Sequence, residues 1–130
     1  MSSVSKISIK ITIGDIILDG EISKHLAPTI VNQIIEKKRL SGPIIKIKDL
    51  LIYSPVGIIA GLHKPKKSFK KEDIGFLASN GAIVLFRKDQ LVTNKMTVIG
   101  NLTSEIEKLD DIKPGEIMIV EVLKLSLIHI

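Results

Sequence analysis

The chain opens with a strict alternation of apolar and polar residues. Between residues 6 and 13 an isoleucine stands at every second position, with Lys, Ser or Thr between. This period of two is typical of a strand with one buried face. Gly14-Asp15 then interrupts the pattern before a second apolar run at 16–18. Because Gly and Asp favour tight turns between strands, the pattern predicts a β-hairpin.

A helical spacing follows the hairpin. Pro28 suits a first helical position, where its missing N–H would have no intrahelical partner. The apolar residues that follow form one stripe: Ile30, Val31, Ile34 and Ile35. Lys and Arg at 37–39 complement the negative helix end, and Gly42-Pro43 is expected to stop it. The spacing predicts one amphipathic helix over 28–40, lying on a sheet.

Short apolar runs at regular spacing fill the rest of the chain. The run at 82–86 is apolar throughout, which predicts a strand buried on both faces. Ser104 and Glu107 have the spacing of a capping box before a short helix, and Pro114-Gly115 is typical of a type II turn. With the opening hairpin, about eight strands are expected in a barrel or sandwich. The further strands are expected at 44–47, 50–53 with a continuation over 58–62, 76–77, 82–86, 97–99 and 116–127.

Composition narrows the class of protein. A chain of 130 residues with 45% hydrophobic residues predicts one globular domain over 1–130. Its 25 isoleucines favour strands. Charged residues interrupt every apolar run before it could span a membrane, and no leader pattern follows Met1. We therefore expect a cytoplasmic protein. The absence of cysteine excludes disulfides and thiolate catalysis.

The positive charge is local. The net charge is +5, and one lysine-rich stretch, expected to be a loop, carries five lysines. These lysines are candidates for binding an anionic partner by counterion release. The alternative is a solvated loop with no partner. Nucleic acid is an unlikely partner, because proteins that bind nucleic acid usually favour arginine, and the chain has only two arginines. The candidates are Lys64, Lys66, Lys67, Lys70 and Lys71.

Several short motifs resemble the cyclophilin fold. They are the helix start at 27–31, the Ser-Asn-Gly-Ala-Ile-Val-Leu-Phe segment at 79–86 and the Val-Ile-Gly-Asn-Leu segment at 98–102. The Leu-Ile-Tyr-Ser-Pro-Val stretch at 51–56 is similar to the small, functionally uncharacterised cyclophilin-like proteins of bacteria and archaea. The resemblance implies an all-β fold, a closed eight-stranded cyclophilin-like β-barrel with one or two short capping helices.

The resemblance also bears on catalysis. Prolyl isomerases of this fold use an arginine, a glutamine, aromatic residues and a histidine in one groove, and the arginine would hydrogen-bond the twisted amide. The segment 44–60 contains no arginine. By the resemblance, Ile83 takes the place of the groove glutamine, Leu85 that of a phenylalanine and Met96 that of the histidine. We therefore expect ordinary prolyl isomerase activity to be absent, and we predict no catalytic residue.

Four side chains are candidates for ligand contact: Tyr53, His63, Asn80 and Met96. Tyr53 leads because it offers a stacking face and a hydroxyl, although a core ring with a satisfied hydroxyl is at least as good an interpretation. His25, His63 and His129 share no metal-ligand spacing, so no metal and no cofactor are predicted. The acidic pairs at 72–73 and 110–111 are expected to be solvated.

These observations favour non-catalytic binding of a small molecule or an extended peptide in an outer groove. The alternatives are a residual isomerase or other enzyme, and a structural, assembly or nucleic-acid-binding module. The apolar C-terminal segment, with Leu123, Leu125 and Leu127 on one side, is interpreted either as an ordinary closing strand or as a homodimer contact.

Overall fold

The computed structural model describes residues 6–123, which form a mainly β fold with ten strands, one α-helix and a short 3-10 helix. The strands are β1 Lys6–Ile13, β2 Ile16–Ser23, β3 Arg39–Pro43, β4 Ile45–Ile47, β5 Leu51–Pro55, β6 Lys66–Phe69, β7 Asp73–Leu77, β8 Ala82–Phe86, β9 Gln90–Leu102 and β10 Ile117–Val122. The helix α1 is Pro28–Lys37 and the 3-10 helix is Ile106–Leu109. No helix within 6–123 has the length and apolarity needed to cross a membrane.

The strands pair in the order β3-β10-β1-β2-β9-β7-β8-β5-β4, and β6 pairs with β9 beside this path. The end strands β3 and β4 are neighbours in the chain, separated only by Ile44, yet no ladder among the described residues joins them. The expectation of a closed barrel of eight strands is therefore wrong in both respects. The sheet is open and has ten strands.

Local chemistry explains why the sheet does not close. Pro43 and Pro55, at the ends of β3 and β5, have no N–H to donate to a ladder. The Ile44 N–H is already donated to the Glu116 carbonyl, 2.8 Å away. The end strand β3 instead packs closely against β5 at Gly42, where a methyl group would overlap the Pro55 carbonyl oxygen.

The opening hairpin is confirmed. β1 and β2 pair in register from Lys6 with Ser23 to Ile13 with Ile16. The turn residue Gly14 has a φ of +58°, a conformation that suits glycine. All four alternating isoleucines of β1 are buried in the main core.

The helix is shorter than the expected 28–40. It begins at Pro28 and ends at Lys37, and the Lys38 N–H donates to the Ile34 carbonyl from a left-handed φ of +63°. Gly42 and Pro43 do not stop it, because they belong to β3, where Leu40 and Gly42 alternate inward. The left-handed Lys38 ends the helix four residues before Gly42, so the helix is three residues shorter than the glycine signal indicates.

Three further expectations need correction. The lysine-rich stretch is not a loop throughout, because Lys66–Phe69 forms β6 with Phe69 buried. The segment 58–62 forms no strand. Ser104 does not form a capping box, since its hydroxyl accepts the Asp19 N–H at 2.8 Å.

The last turn and strand agree with expectation as far as they are described. Gly115 has a φ of +93° and the Glu116 N–H donates to the Lys113 carbonyl, as in a type II turn. β10 ends at Val122, so the rest of the predicted closing strand, the homodimer contact at Leu125 and Leu127, and His129 lie outside the described residues.

Strand β8 lies between two apolar clusters. Ile83 and Leu85 belong to the main core, which also holds the inward residues of β1 and the helix. Val84 and Phe86 belong to a second cluster, with Leu51, Phe69 and Met96. Every residue of β8 is buried, so the prediction of a strand buried on both faces is confirmed.

Candidate functional site: an outer apolar groove

Part of the second cluster, namely Leu51, Val84 and Met96, lines a groove on the outer face of the sheet. The same cluster holds a stacked pair of rings that does not line the groove, Phe69 on β6 and Phe86 on β8, with centroids 4.3 Å apart and planes 5° from parallel. The cavity, which we call the outer groove, has a volume of about 410 Å³. Its lining residues are Ile47, Leu50, Leu51, Tyr53, Leu77, Val84, Gln90, Leu91, Val92, Thr93, Asn94 and Met96.

The groove is open to solvent along one side. Leu91 is 79% exposed, and Ile47 is 39% exposed on β4. Within the described chain β4 pairs only with β5, so its other edge carries no ladder. The register of this pair, Ile45 opposite Tyr53 and Ile47 opposite Leu51, places both isoleucines on the groove side. Apolar surface therefore runs continuously from the sheet edge into the groove.

The polar groups of the groove lie at its rim. Among its lining residues none is charged. The Gln90 amide donates to the Leu50 carbonyl at 2.8 Å and to the Lys88 carbonyl at 3.0 Å, so its donors are engaged. Thr93 and Asn94 are exposed, and Tyr53 is half-buried against the second cluster. The arrangement suits an apolar group with few directional contacts.

Two of the four predicted ligand contacts meet in the groove. Tyr53 and Met96 both line it. Asn80 instead lines a separate depression beside Gly57 and Gly81, where its side-chain oxygen accepts the Ser79 hydroxyl at 2.8 Å. His63 lines neither cavity, and its backbone N–H donates to the Thr97 hydroxyl at 2.8 Å. The four candidates do not form one site.

The structure places the two β8 positions named by the resemblance away from the outer groove. Ile83 and Leu85 belong to the main core, while Val84 and Phe86 belong to the second cluster. Successive strand residues point to opposite faces of the sheet, and Val84 is the β8 residue that lines the groove.

Neither arginine reaches the groove. Arg39 lies on β3 and is within 3.9 Å of the Glu121 carboxylate. Arg87 follows β8 and forms an ion pair with Asp110. The groove lining therefore has no guanidinium to donate to an amide.

The five candidate lysines are exposed and do not line the outer groove. The Lys66 ammonium lies 5.2 Å from the centroid of the Phe69 ring, within the range of a cation–π contact. Lys71 forms an ion pair with Glu107. Lys64 has a left-handed φ of +47°. Lys67 and Lys70 complete the set, on and just after β6.

Sequence reasoning missed several lining residues, above all Ile47, Leu77 and Leu91. The Ile-Lys-Ile alternation of β4 was a usable signal, because it shows one apolar face on a short strand. Leu91 gives no such signal, since it and Val92 form only a two-residue apolar pair between polar residues. Within residues 6–123 no three His, Cys, Asp or Glu side chains cluster to hold a metal ion.

Comparison with solved structures identifies the fold as cyclophilin-like. A hypothetical protein from Archaeoglobus fulgidus is 20% identical, with a TM-score of 0.73 over 92% of this chain and 96% of its own. A cyclophilin-type peptidyl-prolyl cis-trans isomerase from Cryptosporidium parvum is 12% identical, with a TM-score of 0.69 over 92% of this chain and 98% of its own. No family model and no curated protein sequence matches the chain. The expected cyclophilin-like fold is therefore confirmed, and at these identities the likeness concerns the fold alone.

Proposed function

We propose that the outer groove binds an extended peptide segment, which pairs with the edge of β4 away from β5 and inserts an apolar side chain against Tyr53 and Met96. The observation that carries this proposal is the position of the groove beside β4, whose outer edge has no ladder partner among residues 6–123. An extended peptide that adds to a sheet edge gains affinity from main-chain hydrogen bonds and specificity from pockets for its side chains.

Burial supports an apolar guest. The groove is lined by aliphatic, aromatic and neutral polar residues, and its volume lies within the ~300–1,000 Å³ range of ligand pockets. A side chain that enters it is removed from water without leaving a charge unpaired. Burying a Leu- or Phe-sized side chain contributes about 1.5–3 kcal/mol.

We further propose that the groove does not catalyse ordinary prolyl isomerisation. A catalyst must bind the twisted amide more strongly than the planar one, and a positioned donor supplies that difference. The two arginines lie elsewhere, and the donors of Gln90 are engaged by backbone carbonyls. We therefore propose that this protein has a fold similar to that of the Cryptosporidium parvum enzyme but lacks its activity.

A titration of labelled peptides tests the binding proposal. Fluorescence anisotropy is measured with a library of eight-residue peptides that carry Leu, Ile, Phe or Pro at the fourth position. We expect Leu91→Asp to weaken binding at least about tenfold, because a charge at the mouth must be desolvated. Ile59→Asp is the matched control, since Ile59 is 86% exposed on a distant loop and lines another depression. Equal weakening by both variants would contradict the assignment.

Backbone methylation separates edge pairing from simple pocket filling. A peptide N-methylated at alternate residues loses the donors that a strand edge needs, so it should bind poorly. Equal affinity of the methylated peptide would exclude pairing with β4. A third outcome is that no peptide binds, whereas an apolar dye binds in the groove and small molecules displace it. The groove would then bind a small molecule, and the peptide proposal would be wrong.

A protease-coupled isomerisation assay tests the second proposal. We expect the rate with the protein to equal the uncatalysed rate. The matched variant is Val84→Ala, which alters the groove wall. A rate well above background that falls in this variant would establish a residual isomerase instead.

A further inference from the structure

A second cleft lies at one end of the sheet and differs from the outer groove in charge. It is formed by the turn between β4 and β5, the turn after β8 and the 3-10 helix, and has a volume of about 460 Å³. We call it the charged cleft. Its lining residues are Lys46, Lys48, Asp49, Arg87, Lys88, Ile106, Glu107 and Asp110.

Ion pairs neutralise each of the three carboxylates that line the cleft. Asp110 binds Arg87, Asp49 binds Lys88 and Glu107 binds Lys71. The hydrogen bond from Lys88 lowers the pKa of Asp49, and that from Lys71 lowers the pKa of Glu107. Asp49 and Glu107 are therefore ionised at neutral pH, and all three carboxylates already have cationic partners.

Two lysines of the cleft have no such partner. Within residues 6–123, neither Lys46 nor Lys48 lies within ion-pair distance of a carboxylate. The Lys46 ammonium donates one hydrogen bond, to the Ile112 carbonyl at 3.1 Å, which leaves two of its three donors. The cleft thus holds two positive charges that no described carboxylate balances.

Arg87 gives the cleft a fixed donor. Its side chain is only 10% exposed, and its backbone N–H is held by the Leu50 carbonyl at 2.8 Å. A guanidinium has five N–H donors in a rigid plane, and Asp110 does not use all of them. A nearly buried, oriented guanidinium beside two ammonium groups suits an oxyanion with several acceptors.

We propose that the charged cleft binds a dianionic phosphate group, held by Lys46, Lys48 and Arg87. Two negative charges match the two unbalanced lysines, and the tetrahedral oxygens offer enough acceptors for donors from all three side chains, which line the same cleft. If the ion pairs only stabilised the fold, they would not explain why Lys46 and Lys48 also line the cleft. This site is independent of the peptide groove, because the two cavities share no lining residue.

The backbone offers a matched pair of variants. Lys48 has a φ of +49° and Lys64 a φ of +47°, and both are exposed. Asparagine adopts this left-handed conformation more readily than lysine, so Lys48→Asn and Lys64→Asn each remove one charge without straining the chain. Only Lys48 lines the cleft.

The test is a titration of the whole protein with inorganic phosphate at pH 8, followed by amide chemical shifts, with sodium chloride at matched ionic strength as the reference. We expect saturating shifts at Lys48, Arg87 and Lys88. Lys48→Asn should weaken binding about fivefold, whereas Lys64→Asn should leave it unchanged. Shifts that do not saturate, that spread over all exposed lysines, or that weaken equally in both variants would overturn the proposal.

Discussion

The outer groove and the charged cleft differ in chemistry although adjacent residues build both. Ile47 lines the groove, while Lys46 and Lys48 on either side of it line the cleft. The groove has no charged lining residue, and the cleft has only one apolar residue, Ile106. Because side chains alternate across a strand, one short segment supplies opposite chemistries to two surfaces. A ligand of the groove should therefore depend on burial and a ligand of the cleft on charge.

The largest expected effect concerns the stacked rings of the second cluster, which also supplies Leu51, Val84 and Met96 to the groove lining. Phe86→Ala removes one of two stacked, fully buried rings, so we expect a loss of about 3–5 kcal/mol in the free energy of unfolding. Leu85→Ala on the opposite face of β8 is the reference, with an expected loss of about 2–5 kcal/mol. Urea denaturation measures both.

The outcome bears directly on what the groove can bind. If Phe86→Ala costs less than about 1 kcal/mol, the second cluster is not packed like a core. The groove-lining residues that belong to this cluster would then lack a rigid support, and the contrast between the groove and the charged cleft would lose its structural basis.

How far the sequence predicts this fold depends on the range of the interactions involved. The hairpin, the start of α1 and the double burial of β8 follow from local patterns and are confirmed. The open sheet does not follow from them, because it depends on where β3 meets β5. That contact is set by Gly42 and the Pro55 carbonyl, which lie thirteen residues apart and form no ladder within residues 6–123.

The site is less predictable for a related reason. The sequence predicts Tyr53 and Met96 as ligand contacts, but the apolar cluster behind the groove also contains Phe69, a buried ring inside a lysine-rich run. Local composition there indicates a loop, whereas the ring stacks on Phe86, seventeen residues away. The charged cleft is harder still, since it combines two turns and the 3-10 helix that are far apart in the chain.

The next effect concerns ligand affinity in the groove. Tyr53→Ala should weaken peptide binding about tenfold, because a half-buried ring at the centre of an interface contributes about 1–2 kcal/mol. Tyr53→Phe retains the ring, so its affinity separates the hydroxyl from the stacking face. Anisotropy titration with the peptides above measures both variants. Unchanged affinity in Tyr53→Ala would place the peptide elsewhere on the molecule.

Salt should separate the two surfaces. Raising the sodium chloride concentration from about 0.05 M to about 0.5 M shortens the Debye length severalfold and screens the exposed lysines of the cleft. We expect phosphate affinity to fall at least about threefold, while peptide affinity in the uncharged groove stays constant or rises slightly. Parallel calorimetric titrations measure both. If peptide affinity in the groove depended more strongly on salt than phosphate affinity in the cleft, the assignment of burial to the groove and charge to the cleft would be reversed.

The smallest expected effect is the pH dependence of the ion pair at the cleft margin. The hydrogen bond from Lys71 holds the pKa of Glu107 below its ordinary value, and Glu107 raises the pKa of Lys71. The Glu107 contribution to stability is therefore complete above the unfolded-state pKa and is lost as the pH falls through the folded-state pKa. The Lys71 contribution is complete below its unfolded-state pKa and is lost as the pH rises through the raised value.

We expect the urea midpoints of the protein and of Glu107→Gln to converge between about pH 6 and about pH 3. Glu105→Gln is the control, because Glu105 is exposed and lies in no ion pair within 6–123. A constant difference for Glu107→Gln over this range would mean that the carboxylate keeps its ordinary pKa and that Lys71 remains available to the cleft.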